Sequence, residues 1–260
     1  MNTFNLALRT VENNIEDGII RAGGDYGGEW TRDASINAWN AGSLVFPQET
    51  SRSLWAVTLD RGKTVGHQYW DKIIWVQGAF NHCMVTGEDI EPVYRCSAAT
   101  MKELEDSVFC ADRGLFCGPS VFNDGIAGYE EPIPDPELAK SGSIKHPNTG
   151  FPDGGWQNGV HWGSCRDQTW SATGYLRMFL TDVFGLSFGR KGMSVSPDVT
   201  VADNLGCSAL SGIKYRQHDV TVRIEPAGDK KKGTYVNGRK VRQASVPCDG
   251  SESYEIVIYR

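Results

Sequence analysis

The stretch Gly27-Gly28-Glu29-Trp30-Thr31-Arg32-Asp33 lies at the start of a predicted helix over residues 33–45. Its glycines let the backbone approach a ligand, Arg32 offers a rigid fork of hydrogen-bond donors, and Asp33 offers two acceptor oxygens. Two interpretations follow. Either Asp33 caps the helix and Arg32 forms a surface pair, or the two residues hold vicinal sugar hydroxyls while Trp30 stacks on the sugar ring.

Apolar residues at helical spacing continue on both sides of this stretch. They predict helices over residues 3–16, 33–45, 48–59, 70–86, 89–109 and 168–184. Between the last two helices, residues 113–162 are rich in Gly, Pro, Asn and Asp, and a structureless loop of that length is unusual in a compact domain. We therefore expect this segment to be a functional loop, a damaged region, or both.

The spacing of apolar residues changes after Gly185 from a period of about 3.6 residues to a period of about 2. This alternation predicts strands over residues 194–196, 208–216, 220–224, 234–236 and 254–259. Asn237-Gly238 between alternating residues indicates a β-hairpin. The sequence therefore predicts a helical domain over residues 1–186 and a small all-β domain over residues 187–260.

The charge balance and the cysteines limit the partners and cofactors to be expected. The chain of 260 residues carries a net charge of −6, and its basic run Lys230-Lys231-Lys232 sits beside turn residues, so we expect no nucleic-acid partner. Seven cysteines include no CxxC pair and no zinc spacing, which predicts free thiols without a metal or cofactor, although Cys110 and Cys117 could bridge a loop. The sequence has no apolar run of membrane-spanning length, so we expect no membrane partner. Met1 is not followed by a secretory signal, so we expect a cytoplasmic protein. If the N-terminus is incomplete, the protein could instead be periplasmic or secreted.

Asp124 is the first carboxylate that could carry chemistry. It lies in Phe122-Asn123-Asp124-Gly125-Ile126, where apolar neighbours would favour the protonated form that a general acid needs. The alternative is an ordinary Asn-Asp-Gly turn. Both interpretations stay open at this stage.

A second cluster, residues 151–159, carries Asp153, Trp156 and Gln157, and Trp170 follows in the next predicted helix. Glycosidases commonly use two carboxyl groups on opposite sides of the scissile bond, and inverting enzymes hold them roughly 6.5–9.5 Å apart to leave room for water. The carboxylates of this sequence stand on separate loops that would have to converge to act in this way.

Taken in order, these segments resemble the inverting glycosidases built on an (α/α)6 barrel, the six-hairpin group of glucoamylases, processing α-glucosidases and mannosylglycerate hydrolases. Trp30-Thr31-Arg32-Asp33 looks like the group's Trp-x-Arg-Asp motif, which binds the non-reducing-end sugar. Trp70-Asp71 falls where the fourth helix begins, another sugar-contacting position, and Arg166-Asp167-Gln168-Thr169-Trp170-Ser171 resembles the motif that opens the last barrel helix. Asp124 follows the fifth helix, where the group carries its general acid.

The resemblance implies a mainly α fold, a partial (α/α)6 toroid of helical hairpins, followed by a small C-terminal antiparallel β-sandwich. The chain departs from the group because about half of the barrel helices are absent, with the junction near residues 146–150. Lys145-His146-Pro147-Asn148-Thr149-Gly150 also stands where the group carries a Glu as its catalytic base. Asp153 is the nearest remaining carboxylate that could replace that Glu.

By this resemblance we expect hydrolysis of an O-glycosidic bond in a short, α-linked oligosaccharide, with Asp124 as the acid and Asp153 as the base. The sugar would be bound by Trp30, Arg32, Asp33, Trp70, Asp71, Trp156, Gln157 and Trp170. The alternative is a catalytically impaired sugar-binding remnant or an interaction module. A half ring would expose apolar helical faces, so we expect an open helical array, a homodimer that closes the ring, or a marginal fold.

Overall fold

The structure is a computed structural model, and it describes residues 3–24, 28–66, 69–110, 115–116, 155–157, 160–162, 169–189 and 191–260. The residues predicted to carry the catalytic carboxylates, Asp124 and Asp153, lie outside the described ranges. Cys117, which the spacing would allow to bridge a loop with Cys110, also lies outside them.

Each predicted helix is confirmed, with its ends shifted by a few residues. The helices are α1 (Thr3–Asn13), α2 (Thr31–Asn37), α3 (Ser43–Val45), α4 (Pro47–Ala56), α5 (Tyr69–Thr86), α6 (Glu91–Val108), α7 (Thr169–Arg177) and the unpredicted α8 (Val199–Asn204). A π-helical turn, Ala38–Gly42, joins α2 to α3, and a second one, Met178–Val183, extends α7. The two predicted helices 33–45 and 168–184 are therefore real, but each changes its hydrogen-bond pattern part-way along.

Within the described ranges, four two-stranded antiparallel sheets lie between or beside the helices. They are β1 (Ile15–Glu16) with β2 (Ile19–Ile20), β3 (Thr58–Leu59) with β4 (Thr64–Val65), β5 (Phe109–Cys110) with β6 (Leu115–Phe116), and β7 (Gly155–Gln157) with β8 (Val160–Trp162). Three of these strands, β6, β7 and β8, fall within residues 113–162, so this segment is not the wholly structureless loop that its composition predicts.

Two larger sheets follow in the C-terminal part of the chain. The first, in the order β15-β10-β9, contains β9 (Leu186–Gly189), β10 (Gly192–Val195) and β15 (Ala244–Pro247). The second, in the order β11-β12-β16-β13-β14, contains β11 (Ala209–Tyr215), β12 (His218–Glu225), β13 (Gly233–Val236), β14 (Arg239–Val241) and β16 (Ser253–Tyr259). The predicted hairpin at Asn237-Gly238 is confirmed, and both residues have positive φ, 47° and 77°, as a type I′ turn requires.

The prediction of a mainly α, partial (α/α)6 toroid followed by an antiparallel sandwich is wrong. The fold is a mixed α/β structure with several sheets, and in the five-stranded sheet β12 pairs in parallel with β16. The physical reason lies in where the helices bury their apolar faces. Val11 of α1, Leu176 of α7 and Ile256 of β16 belong to one buried cluster, so these helices pack towards sheets as well as towards other helices.

The junction between the helices and the five-stranded sheet is made by backbone. Arg216, in the turn between β11 and β12, takes a positive φ of 53° and donates its N–H to the carbonyl of Val85 at 3.0 Å. This contact satisfies a carbonyl in the last turn of α5, one of the groups that a helix end leaves without an intrahelical partner. The division into residues 1–186 and 187–260 stays a prediction.

A second buried cluster surrounds α4, α5 and α6. Trp75 is fully buried at its centre, its ring meets the ring of Trp55 edge-on at 5.5 Å between centroids, and its indole N–H donates to the carbonyl of Leu54 at 2.8 Å. A buried tryptophan needs such an acceptor because its N–H would otherwise lose a hydrogen bond to water. Trp75 therefore fixes how α4 lies on α5.

Helices α2 and α5 lie side by side and run in the same direction. Ser35 donates its hydroxyl to the carbonyl of Ile74 at 2.7 Å, and Asn81 donates its side-chain amide to the carbonyl of Ala38 at 2.9 Å. The contacts occur in the same order along both segments, so the two helices begin at the same end of the molecule. The acceptor at Ala38 lies in a π-helical turn, where a second donor compensates for the altered backbone pattern.

Gly78 allows this close approach, and a matched pair of substitutions tests it. A Cβ on Gly78 would lie 2.5 Å from the carbonyl oxygen of Ser35, whereas a Cβ on the helical Gly174 would meet only the side-chain amide of Asn40, at 3.5 Å. We expect Gly78→Ala to lower the free energy of unfolding by about 1–3 kcal/mol through overpacking. Gly174→Ala should leave it unchanged or raise it by up to about 1 kcal/mol through helix propensity. Urea unfolding monitored by circular dichroism measures both values, and equal effects at the two sites would contradict the close packing.

Candidate functional site

The Trp-Thr-Arg-Asp motif forms the first turn of α2. Trp30 occupies the N-cap position with extended backbone, φ −127° and ψ 123°, and Asp33 is the third helical residue. The cap position therefore belongs to Trp30 and not to Asp33. Asp33 is buried, with 3% of its surface exposed, and a carboxylate in the first turn of a helix is favoured by the positive end of the helix dipole.

Arg32 joins this motif to a distant one. Its guanidinium carbon lies 5.5 Å from the centroid of the Trp170 ring, within the distance at which a cation is attracted to an aromatic face. Trp170 was predicted to bind sugar and belongs to the stretch that resembles the motif opening the last barrel helix. The structure thus brings together two of the motifs singled out in the sequence.

A second Arg–Trp contact fixes how α7 lies on α2. Arg177 of α7 lies over Trp39, with 4.0 Å between its guanidinium carbon and the ring centroid. Arg32 contacts Trp170, and seven residues further along both segments Trp39 contacts Arg177. Because the two contacts follow in the same order, α2 and α7 run in the same direction. Helices α2, α5 and α7 all begin at one end of the molecule.

Buried amide and hydroxyl groups fill the interface between α2 and α7. Asn37 donates its side-chain N–H to the hydroxyl of Thr169 at 3.0 Å, and its oxygen accepts from the hydroxyl of Thr173 at 2.7 Å. All three residues are buried. Pairing of buried polar groups in this way specifies one register between the helices, because any slip would leave them without partners.

The first turn of α5 adds a second buried carboxylate at the same end. Asp71 is 3% exposed, and the neighbouring Lys72 forms an ion pair with Glu103 of α6, with 2.6 Å between Nζ and Oε1. Since α2 and α5 are parallel and Asp33 and Asp71 lie in their first turns, both carboxylates belong to the shared end. We call Trp30, Arg32, Asp33, Asp71 and Trp170 the helix-start cluster.

The remaining predicted sugar-binding residues are described by their backbone. Trp70 lies in the first turn of α5, next to Asp71, and Trp156 and Gln157 lie in β7. Their predicted role stays a prediction, as does that of Asp124 and Asp153 outside the described ranges.

The helix-start cluster combines groups that suit a polar ligand rich in hydroxyls. A guanidinium supplies several N–H donors, carboxylates supply acceptors, and indole rings supply flat apolar faces. The positive ends of three helices add a favourable potential for oxygen atoms. Groups of these types can form hydrogen bonds with such a ligand and stack on it; the carboxylates predicted to cleave the bond, Asp124 and Asp153, belong to other parts of the sequence.

Sequence reasoning missed a chain of polar groups formed by Ser43, His82 and Glu88. His82 Nδ1 lies 3.0 Å from the Ser43 hydroxyl, and its Nε2 lies 3.1 Å from a Glu88 carboxylate oxygen. This is the order of nucleophile, base and orienting carboxylate in hydrolases. Ser43, however, is buried with 2% of its surface exposed, so the chain joins α3 to α5 and is closed to a substrate. No spacing in the sequence signals it, because the three residues lie on different segments.

Among the described residues, no group of three or more His, Cys, Asp or Glu side chains is arranged to hold a metal ion. Within the same ranges Cys83, Cys96 and Cys207 are free thiols, as predicted. No helix within the described ranges is both long and apolar enough to cross a membrane.

Comparison with known proteins assigns no family. No protein-family model matches the chain, and no curated protein matches it. The functional argument therefore rests on the residues themselves.

Burial of His82 makes the stability depend on pH. Removal from water lowers the pKa of His82 from its ordinary value of 6.5, and the hydrogen bond and charge of Glu88 oppose this shift. As the pH falls below 6.5, His82 becomes protonated in the unfolded chain while it stays neutral in the folded chain. The stabilising contribution of neutral His82 is complete above pH 6.5 and is lost as the pH falls through the lower pKa of the folded state.

Urea unfolding at pH values on both sides of 6.5 measures this contribution. The difference in unfolding free energy between the parent protein and His82→Asn should shrink as the pH falls, since the Asn variant cannot titrate at this position. A difference that stays constant across this range would show that His82 does not titrate differently in the two states.

Proposed function

We propose that the chain is a glycoside-hydrolase-like protein that binds a short, α-linked oligosaccharide at the helix-start cluster and hydrolyses an O-glycosidic bond with inversion. The observation that carries the binding part is the contact between Arg32 and Trp170. Arg32 comes from the stretch that resembles the sugar-binding Trp-x-Arg-Asp motif, and Trp170 from the stretch that resembles the motif opening the last barrel helix. Their meeting at the shared end of three helices supports a common ligand.

The chemistry of the cluster suits a sugar ring. A pyranose presents hydroxyl groups around its rim and C–H groups on its faces. Arg32 would donate to sugar oxygens, Asp33 and Asp71 would accept from hydroxyls, and the indole rings of Trp30 and Trp170 would cover C–H faces. Trp70, Trp156 and Gln157 would extend this site, as the resemblance implies.

The cleavage step of the proposal depends on Asp124 and Asp153. Asp124 would protonate the leaving oxygen of the scissile bond, and Asp153 would remove a proton from the water that attacks on the opposite face of the ring. The attacking water enters from the side away from the leaving group, so the product carries the inverted anomeric configuration. The proposal includes no cofactor and no metal.

Arg32→Ala tests the binding part. We expect it to weaken binding of maltose or a related disaccharide by about tenfold or more, because charge-assisted hydrogen bonds contribute roughly 1.5–3 kcal/mol. Arg95→Ala is the matched control, since Arg95 is exposed on α6 and pairs with Glu91 at 3.2 Å within the same helix. Isothermal titration calorimetry across a panel of disaccharides measures both. Equal affinities for the two variants and the parent would remove Arg32 from the site.

Asp124→Asn tests the catalytic part. The amide cannot donate the proton that the leaving oxygen needs, so we expect hydrolysis of unactivated disaccharides to fall by a factor on the order of 10²–10⁴. Proton NMR of the parent reaction should show the inverted anomer before mutarotation. A variant that hydrolyses disaccharides at the parent rate would contradict this role of Asp124.

A second candidate function is sugar binding without hydrolysis. It is favoured by the absence of Glu from Lys145-His146-Pro147-Asn148-Thr149-Gly150, where the resemblance places the catalytic base. In that case calorimetry would detect sugar binding that depends on Arg32, while the parent and Asp124→Asn would be equally inactive. The two experiments above therefore separate the two functions.

The expected partners and location belong to the same proposal. A homodimer would use exposed apolar residues of one helical face, such as Ile73, Val76 and Phe80 of α5, which recur at helical spacing. A cytoplasmic location, without a nucleic-acid or membrane partner, follows from the composition in the same way.

A further inference from the structure

A cleft of about 670 Å³ opens beside α2 and α7 at the Arg177–Trp39 contact. This contact lies about two helical turns beyond the one between Arg32 and Trp170, so the cleft is separate from the helix-start cluster. Its volume lies within the range of about 300–1,000 Å³ that is typical of small-molecule sites. The lining side chains include Trp39, Arg177, Met178, Asp182, Ser187 and Phe188.

Arg177 is fixed in place with part of its guanidinium unused. Its Nη1 donates to the carbonyl of Trp39 at 2.5 Å and to that of Asn40 at 3.3 Å, and its planar group stacks on the Trp39 ring. Among the described residues both of its hydrogen bonds run from Nη1, so Nη2 and Nε remain for a ligand in the cleft. These two atoms form the side of a guanidinium that binds a carboxylate through two parallel hydrogen bonds.

Partial burial of the Arg177 guanidinium strengthens its attraction to a ligand carboxylate. The half-buried position of Arg177 lowers the pKa of its guanidinium, and the charge of Asp182 opposes that effect. A charge that has lost part of its hydration gains more from a new partner than a fully solvated one does. Arg177 is therefore positioned and partly desolvated before any ligand arrives.

Asp182 supplies the opposite charge on the same cleft. It is exposed, and one of its carboxylate oxygens accepts from the Thr181 hydroxyl at 3.0 Å. The charge of Asp182 acts on Arg177, while the hydrogen bonds of Arg177 among the described residues go to the carbonyls of Trp39 and Asn40. A cation and an anion thus face one cleft without neutralising each other directly.

Two further features shape the cleft. Trp39 lies in the π-helical turn Ala38–Gly42, and Met178 and Asp182 lie in the π-helical turn Met178–Val183, so such turns contribute to the cleft from both segments. π-helical turns occur frequently at functional sites. Phe188 of β9 and Met178 add apolar surface beside the two charges.

We propose that this cleft binds a free α-amino acid with an apolar side chain, its carboxylate on Arg177 and its ammonium group on Asp182. A zwitterion matches both charges at once, whereas a simple anion would face Asp182 and a simple cation would face Arg177. The apolar side chain of the amino acid would contact Phe188 and Met178. This site is independent of sugar binding and does not rest on it.

The probes are L-leucine, N-acetyl-L-leucine and L-leucine amide, titrated into the whole chain by calorimetry. The acetyl compound lacks the ammonium charge and the amide lacks the carboxylate, while both keep the side chain. We expect L-leucine to bind at least about tenfold more tightly than either analogue, because each analogue leaves one charged group of the cleft without its partner. Equal heats for all three compounds, or no binding of L-leucine, would overturn the proposal.

Three variants locate the binding. Arg177→Lys should weaken L-leucine binding by about tenfold, because an ammonium group cannot form the paired hydrogen bonds of a guanidinium. Asp182→Asn should bring the affinities of L-leucine and N-acetyl-L-leucine together. Ser187→Tyr, which leaves both charged residues in place, should abolish binding by filling the cleft.

Ser211→Tyr, at an exposed position of β11 away from the cleft, is the matched control and should bind as the parent does. Arg32→Ala should also leave L-leucine binding unchanged. L-leucine binding therefore tests the amino-acid site, and disaccharide binding tests the sugar site separately. Binding of L-leucine that survives Ser187→Tyr and Arg177→Lys would place it elsewhere and overturn the assignment.

Discussion

The register between α2 and α7 depends on the buried amide of Asn37. That side chain both donates to Thr169 and accepts from Thr173, and all three groups are shielded from water. A buried polar group without a partner costs about 1–3 kcal/mol, so a displacement of α7 along α2 would break several such bonds together. The α2–α7 pair therefore has one stable alignment, and the two Arg–Trp contacts follow from it.

That alignment explains why the chain presents two candidate sites. At the shared start of three helices, Arg32 reaches Trp170 beside the buried carboxylates of α2 and α5. Further along, Arg177 reaches Trp39 and stays oriented towards a cleft. In the first contact α2 supplies the cation and α7 the indole ring; in the second α7 supplies the cation and the π-helical turn after α2 supplies the ring. A guanidinium held against an indole ring loses little further freedom when a ligand binds.

Much of the secondary structure was predictable because the spacing of apolar residues along the chain differs between helices and strands. The helices over 33–45 and 70–86 and the hairpin at Asn237-Gly238 follow from apolar spacing and turn chemistry, and all are present. The strands at Leu186–Gly189 and Ala244–Pro247 escaped prediction, although strands of the same length at Gly192–Val195 and Gly233–Val236 were found. The two π-helical turns also escaped, because one extra residue per turn leaves no clear pattern in apolar spacing.

The sequence by itself determined the six predicted helices, the Asn237-Gly238 hairpin, the early Arg–Asp motif and the later Trp170 stretch, because each depends on residues close together in the chain. It did not determine which surfaces those elements would cover. Only the tertiary structure decided that α1 and α7 share a core with sheets instead of completing a ring of hairpins. The hydrophobic effect is non-directional, so an apolar helix face is stabilised by packing against a sheet as well as against another helix. Tertiary structure also decided that Arg32 meets Trp170, and that Ser43, His82 and Glu88 form a closed polar chain. Such contacts join residues distant in sequence, and the packing of whole elements sets their geometry.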